Sequence, residues 1–325
     1  MDKIKYGILG CGKHALQSHA IPSRSSSLLE LHAICDLSDE RMAEFEKTLG
    51  LELSKHTNRD KFMRSGIEAV MICTPDEYHF QDLRAAIGHR LHAFTEKPLA
   101  TTIDQVDALK DEFDRASKSG LVVSSCHPRR YDPPFQWMKD NLDELTHTFG
   151  KPMEFGFDFS YHKPTKDWKH TRGLLLDHAN HELDLMHHLF GYDPFGAIKM
   201  ADGPTMYHVI GSRDDGLTFK FSGTRSLETH EYLEWASIRF ERGELTVDAH
   251  QGTATIKTPD SRIDLKIQPT DYEARGRATM ENFAKAIRKE EACYLTHEDL
   301  YANTAMSVML TENRIWEYKP TIVRI

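Results

Sequence analysis

Long apolar runs are missing from this chain. No stretch approaches the ~18 consecutive apolar residues of a membrane-spanning helix, and the run before the first glycines in MDKIKYGILG is too short for a secretory signal. Cysteine is scarce and patternless: the five are odd in number and none forms C-x-x-C, so neither a disulfide framework nor a zinc knuckle is expected. Cys11, Cys35, Cys73 and Cys126 fall at or just beyond the ends of apolar runs, where a small buried thiol is the plain reading. Basic charge is also in deficit. Lys plus Arg number 41 against 50 Asp plus Glu, a net charge of −9, which speaks against nucleic acid or an anionic membrane as a partner of the whole protein. Pro- or Gly-rich linkers, internal repeats and low-complexity tracts are absent as well. These absences leave a cytoplasmic globular protein whose 325 residues suit two closely packed domains.

Short apolar runs alternate with helical patterns through the first 126 residues: KIKYGILG, ELHAICD, EAVMICT, LHAFTEK and LVVSSC, separated by segments such as SDERMAEFEKTLG and DQVDALKDEFDRASKSG. β-rich runs joined by helical crossovers predict a doubly wound parallel sheet covered on both faces. From about Arg130 the rhythm changes. A helix is expected in PPFQWMKDNLDEL and a strand in PMEFGFDFSYH, and runs between about Ala197 and Ile267 pair through Gly turns as an antiparallel sheet. Two helices then close the chain, roughly Tyr272 to Lys289 and His297 to Tyr318, the second opening at a Thr296 cap with Asp299 three residues on. The fold class is therefore α/β: a doubly wound domain over 1–126, then an α+β domain over 127–325 with a large, mostly antiparallel, open-faced sheet, its last helix free to pack back on the first domain.

Gly10-Cys11-Gly12-Lys13-His14-Ala15 follows the first strand and opens a helix, matching G-x-G-x-x-G/A with Ala in the third place. Glycines here permit a tight turn and close approach to a pyrophosphate, whose charge sits at the helix N-terminus. Asp36 ends the second strand, where a carboxylate accepts from both hydroxyls of an adenosine ribose and repels a 2′-phosphate, favouring NAD over NADP. The plainer role for Asp36 is to cap the helix beginning near Ser38. Arg41 sits too far into that helix for phosphate recognition to be expected.

GLLLDHANHELDLMHHLFG, from Gly173 to Gly191, spends its polar positions on His and Asp, which local propensity does not favour. Asp177, His181, Asp184 and His188 line up at 4-3-4 spacing opposite Leu175, Leu183, Leu185, Met186, Leu189 and Phe190. A solvated face, a metal site and an acid-base pair all fit that stripe. The metal reading is the weakest of these, since one helix rarely closes a coordination sphere, and no metal is expected.

Thr95-Glu96-Lys97-Pro98 follows the strand LHAFTEK, so that a lysine sits at the carboxyl end of a parallel strand, where such sheets bind ligands. Taken together, the Gly loop, Asp36, Thr74-Pro75 with His79 four residues on, Glu96-Lys97-Pro98 and Asp177-x-x-x-His181 resemble the glucose-fructose oxidoreductase, inositol dehydrogenase and rhizopine catabolism (Gfo/Idh/MocA) family over essentially the whole chain. The resemblance implies a cofactor site drawing on Gly10, Gly12, Lys13, His14, Asp36, Thr74, Pro75, His79, Glu96 and Lys97. It further implies a catalytic group of Lys97, Asp177 and His181 around the nicotinamide, and a homodimer or homotetramer formed through the open sheet. In that arrangement His181 takes a hydroxyl proton as hydride leaves, Asp177 holds the imidazole or touches substrate, and Lys97 stabilises developing alkoxide. Asp184 and His188 are read as structural. Two departures stand out: Arg172-Gly173 precedes three leucines where many members have a Gly run, and His127-Pro128-Arg129-Arg130-Tyr131 replaces a segment such as Asn-Arg-Arg-Phe.

The segment KPTKDWKHTRG holds Lys163, Lys166, Lys169, His170 and Arg172 against Asp167 alone, which hints at an anionic sugar-like substrate or simply at a solvated loop. Trp168 could stack on a sugar ring or anchor that loop. Arg130, Tyr131, Trp168 and Arg172 are the substrate-binding candidates. The function implied is hydride transfer between NAD and a secondary alcohol or ketone of a sugar, polyol or sugar derivative. A redox-neutral hydrolase using bound NAD, and a sensor that binds NAD without turnover, share the scaffold.

Overall fold

The computed structural model describes residues 2–162, 173–191, 195–226, 232–312 and, as backbone only, 316–318. The chain divides into two compact units, one of residues 1–128 and 272–304, the other of residues 129–271 and 305–325.

In the first unit, strand β1 (Ile4–Leu9) leads through the glycine loop into a π-helical turn, Ala15–Ala20, continued by α1 (Ile21–Ser23). Then follow β2 (Leu29–Cys35), α2 (Asp39–Leu49), β3 (Ser54–His56), α3 (Arg59–Met63), β4 (Ala69–Ile72), α4 (Asp76–Gly88), β5 (His92–Thr95), α5 (Ile103–Lys118) and β6 (Val123–Ser125). The six strands run parallel in the order β3-β2-β1-β4-β5-β6, so the chain reverses its direction of travel across the sheet between β1 and β4. Ligands of such sheets bind beyond the carboxyl ends of the strands at that reversal. Each of Ala69, Val70, Met71 and Ile72 in β4 is buried, as expected of a strand covered on both faces.

The second unit begins with a short 3₁₀ turn and α6 (Pro133–Phe149), then β7 (Pro152–His162), α7 (Leu174–Phe190), β8 (Phe195–Asp202), β9 (Met206–Arg213), β10 (Thr218–Ser226), β11 (Leu233–Phe240), β12 (Glu244–Asp248), β13 (Thr253–Lys257) and β14 (Arg262–Lys266). The chain then returns to the first unit with α8 (Tyr272–Ile287), enters α9 (His297–Thr311) and ends its described part with β15 (Trp316–Tyr318). Among the described residues the second sheet has nine strands in the order β14-β13-β12-β11-β7-β10-β9-β8-β15, all pairs antiparallel except β10 with β7. Phe155, Phe157, Phe219 and Phe221 point from β7 and β10 into a core against α7. The opposite face of β8 and β9 carries the exposed Ile198, Met200, Met206 and Ile210.

Both closing helices meet the first unit: Met280, Phe283 and Ala284 of α8 are buried with Ile4, Tyr6 and Phe94 in that unit's core, and α9 begins within it, with His297 stacked on Phe113 at 4.6 Å. The expected final helix to Tyr318 stops at Thr311, and residues 316–318 instead pair with β8. Its start is as expected. Thr296 Oγ1 accepts from the Asp299 amide at 3.1 Å while the Asp299 carboxylate accepts from the Thr296 amide, which satisfies two groups a helix end leaves unpaired.

Candidate active site

Gly10 takes φ +98°, and a Cβ there would meet the Cys73 carbonyl oxygen at 2.6 Å, so the turn leaving β1 requires glycine against β4's neighbouring strand end. At Gly12 a Cβ would touch no protein atom. Protein packing therefore does not demand glycine at that position, whereas close approach of a phosphate to the backbone does.

The Asp36 carboxylate accepts from the Cys11 amide at 2.8 Å and from the Ser38 amide at 2.9 Å, which fixes it over the glycine loop at the end of β2. It is not the helix cap. Ser38 is, accepting from the Arg41 amide. The Arg41 guanidinium lies 4.0 Å from the Asp36 carboxylate, nearer than its place in the helix suggested. Burial, and then the charge of Asp36, push the Cys11 thiol up, so it stays protonated.

Thr74 and Pro75 lead into α4, and the Thr74 hydroxyl donates to Asp82 at 2.7 Å. His79, expected against the cofactor, has a different task. It is buried, with Nδ1 2.7 Å from the Pro98 carbonyl oxygen and Nε2 2.7 Å from that of Thr74. Both ring nitrogens face backbone carbonyls, of which a single imidazole N–H serves one, and the ring lies between the Thr74-Pro75 loop and the turn that carries Lys97. Lys97 itself is buried, and its peptide bond to Pro98 is cis.

Glu96 is buried beside these groups. Its Oε1 faces His14 Nε2 at 3.0 Å and His19 Nε2 as well. Burial works to raise its carboxyl, but His14 and then His19 overcome that and hold it well below the usual carboxylate range. The Cys126 thiol, pushed well up by burial and then by Glu96's charge, donates to the same carboxylate. Lys13 is exposed on the first helical turn.

In the second unit, Asp177 and His181 are half-buried on one face of α7, one turn apart, as the spacing predicts. The stripe does not continue as a reactive surface. Asp184 is fully buried and receives Arg130 through Nε at 2.9 and 3.0 Å and Nη2 at 2.7 Å. That corrects the reading of Arg130 as a substrate ligand: its guanidinium holds α7. His188 is lowered to about 4 by burial and then by Arg130, so it is neutral at physiological pH and structural, as expected. Tyr131 closes the 3₁₀ turn Pro128–Tyr131, half-buried. Trp168 and Arg172 lie outside the described residues, as does the rest of the basic segment.

One network had no counterpart in the sequence reading. Buried Arg129 donates to Glu182 at 2.8 Å and to Glu234 at 2.7 Å, with its guanidinium 4.3 Å from the centre of the Phe157 ring. Burial works to raise Glu182, but Arg129 and then His178 bring it down to about 2. His178 Nδ1 lies 3.3 Å from Glu182, its ring stacked on Phe159 at 3.9 Å and edge-on to His181 at 5.4 Å. The i, i+4 placement of His178 and Glu182 was a visible signal. The partners Arg129 and Glu234, 105 residues apart, were not.

A six-stranded 3-2-1-4-5-6 sheet with a glycine turn, a carboxylate at the end of β2 and a buried lysine beyond β5 is the architecture of a dinucleotide-binding domain. The chain matches, over residues 4–125, the family described as "Oxidoreductase family, NAD-binding Rossmann fold" (GFO_IDH_MocA). It is 22% identical over 330 residues to the scyllo-inositol 2-dehydrogenase (NAD(+)) of Bacillus subtilis, covering 96% of this chain and 94% of that one. It is 24% identical over 190 residues to the myo-inositol 2-dehydrogenase of Thermotoga maritima, a match spanning 58% of this chain and only 55% of that relative. The crystal structure of a 3-ketoreductase from Actinomadura kijaniata in complex with TDP-benzene and NADP superposes with a TM-score of 0.81 at 20% identity, over 96% of this chain and 98% of that one. Named cofactors among these proteins are thus both NAD and NADP.

Proposed function

We propose that the protein is an NAD-dependent dehydrogenase that oxidises a secondary alcohol of a sugar, polyol or sugar derivative, or reduces the matching ketone. The observation that carries this reading is Lys97, buried at the carboxyl end of β5 in a doubly wound sheet, with the His79 ring packed between the Thr74 and Pro98 carbonyls beside it. A cation in that position stabilises the alkoxide that develops as hydride leaves carbon. His181 accepts the hydroxyl proton, a task suited to an imidazole near neutral pH, and Asp177, one turn before it, holds the ring or contacts the substrate. The cofactor supplies hydride acceptance, and the protein supplies binding and orientation. Gly10, Gly12, Lys13 and Asp36 are the groups that would cradle it.

NAD is favoured because the Asp36 carboxylate sits at the end of β2 and Arg41, 4.0 Å away, has its charge answered by that carboxylate. The inositol dehydrogenase names among the relatives support a polyol or sugar substrate, and the basic segment 163–172 supports an anionic one. Tyr131, Trp168 and Arg172 are the substrate-side candidates. Ile198, Met200, Met206 and Ile210 on the open face of the second sheet support a homodimer or homotetramer formed there. Five free cysteines, and no helix among the described residues long and apolar enough to cross a membrane, fit action in the cytoplasm.

The test is titration of NAD and NADP into the protein, followed by product analysis with polyols, aldoses and sugar acids. Tighter binding of NAD and one reduced cofactor per oxidised substrate are expected. Preference for NADP would overturn the assignment to Asp36. Turnover with no net reduced cofactor would replace the dehydrogenase by a redox-neutral enzyme.

A further inference from the structure

We propose that His14, His19 and Glu96 form a binding site for one divalent transition-metal ion of the zinc class, assembled by the π-helical turn after the glycine loop. Their donor atoms, two imidazole nitrogens and one carboxylate oxygen, all lie within 4.8 Å of one another. Two imidazoles and a carboxylate are a recognised zinc set that leaves a fourth position for water, with bonds of about 2.0–2.2 Å. The set is borderline in softness, which favours zinc, cobalt or nickel over magnesium or calcium.

The helix geometry supports the assignment independently. His14 and His19 are five residues apart, and on an α-helix at 3.6 residues per turn they would point about 140° away from each other. The turn Ala15–Ala20, which His14 precedes, is π-helical, and its wider i→i+5 bonded turns bring His14 and His19 much nearer to one face than an α-helix would. Both rings therefore reach the same Glu96 oxygen. π-turns inside helices cluster at functional sites.

Surroundings and access fit as well. Glu96 and His19 are buried, and a divalent ion would take over the compensation of the carboxylate that the two imidazoles otherwise give, binding both rings in their neutral form. His14, with its side chain 59% exposed, gives the ion a way in from solvent. The Cys126 thiol donates to Glu96 and orients its carboxylate toward the rings. Sequence reading finds no metal site because Glu96 lies 77 residues from His19 and the π-turn is what aligns His14 with it. The ion would tie the glycine-loop helix to the end of β5 that carries Lys97.

The experiment is cobalt(II) titration of the chelator-treated full-length protein, read by visible absorption, with thermal unfolding in added zinc alongside. Wild type is expected to take up one equivalent with intense tetrahedral d–d bands, to release cobalt to zinc, and to unfold at higher temperature with zinc present. His14→Ala, a surface change that leaves the core untouched, should weaken cobalt binding at least tenfold and abolish the zinc-dependent thermal shift. Glu96→Gln, which keeps the shape, should do the same. Absence of the bands in wild type, or bands and thermal shift equal in His14→Ala, would overturn the proposal.

Discussion

The proposed preference for NAD rests on one carboxylate, Asp36, pinned by the Cys11 and Ser38 amides rather than by a helix it might have capped. Replacing it with Ser removes the charge that opposes a 2′-phosphate and leaves Arg41 unopposed. Asp36→Ser should therefore bring the ratio of kcat/KM for NAD over NADP down at least tenfold, about 1.4 kcal/mol of discrimination, in parallel steady-state assays with the two cofactors. An unchanged ratio would remove Asp36 from cofactor choice. Residue-scale reading of the sequence locates a side chain where it answers to its own strand end, as Asp36 and Lys97 do. It failed for His79 and Arg130. Their partners, the Pro98 carbonyl and Asp184, are set by tertiary contacts that no local pattern announces.

Helix α7 shows what an element can hide. Its 4-3-4 stripe reads as one chemical surface, yet the structure splits it. Asp177 and His181 keep access to solvent, while Asp184 is consumed by Arg130 and His188 is neutral. The neighbouring stripe of His178 and Glu182 joins Arg129 and Glu234 in a buried ionic network. Arg129→Ala leaves two buried carboxylates facing each other without their cation, and should cost about 3–5 kcal/mol in a urea or thermal unfolding experiment. Glu182 is held below its unfolded value of 4.5, at about 2, so its contribution to stability is present above about pH 4.5 and is lost as pH falls toward 2. Wild-type unfolding midpoints should fall across that window, and Glu182→Gln, already destabilised at neutral pH, should fall less steeply. Equal acid slopes would contradict the paired state of Glu182. The π-turn was illegible for a related reason: sequence announces a helix after Gly12, but hydrogen-bond register within the helix is decided by what its side chains meet.

For the whole molecule, the alternation of apolar runs and helical patterns was enough to foresee a doubly wound sheet and a mostly antiparallel second sheet, because burial on two faces or one leaves different periodicities. The chain's return to the first unit through α8, and the pairing of β15 with β8, were less legible. An amphipathic helix shows that it packs, not on what, and three residues are too few to carry a strand pattern. The open sheet face is where assembly should occur. Ile198→Asp combined with Met206→Asp puts charge into its exposed apolar patch and should shift the protein to a smaller species in light scattering while leaving each unit folded. An unchanged mass would move the interface elsewhere. The central claim is hydride transfer assisted by Lys97 and His181, and absorbance of reduced nicotinamide tests it most directly. Wild type and His181→Ala are compared with NAD and a panel of polyols, aldoses and sugar acids. Substrate-dependent reduction by wild type, reduced at least about a hundredfold in His181→Ala with NAD affinity kept, is the predicted result. Equal turnover by the two proteins would contradict it.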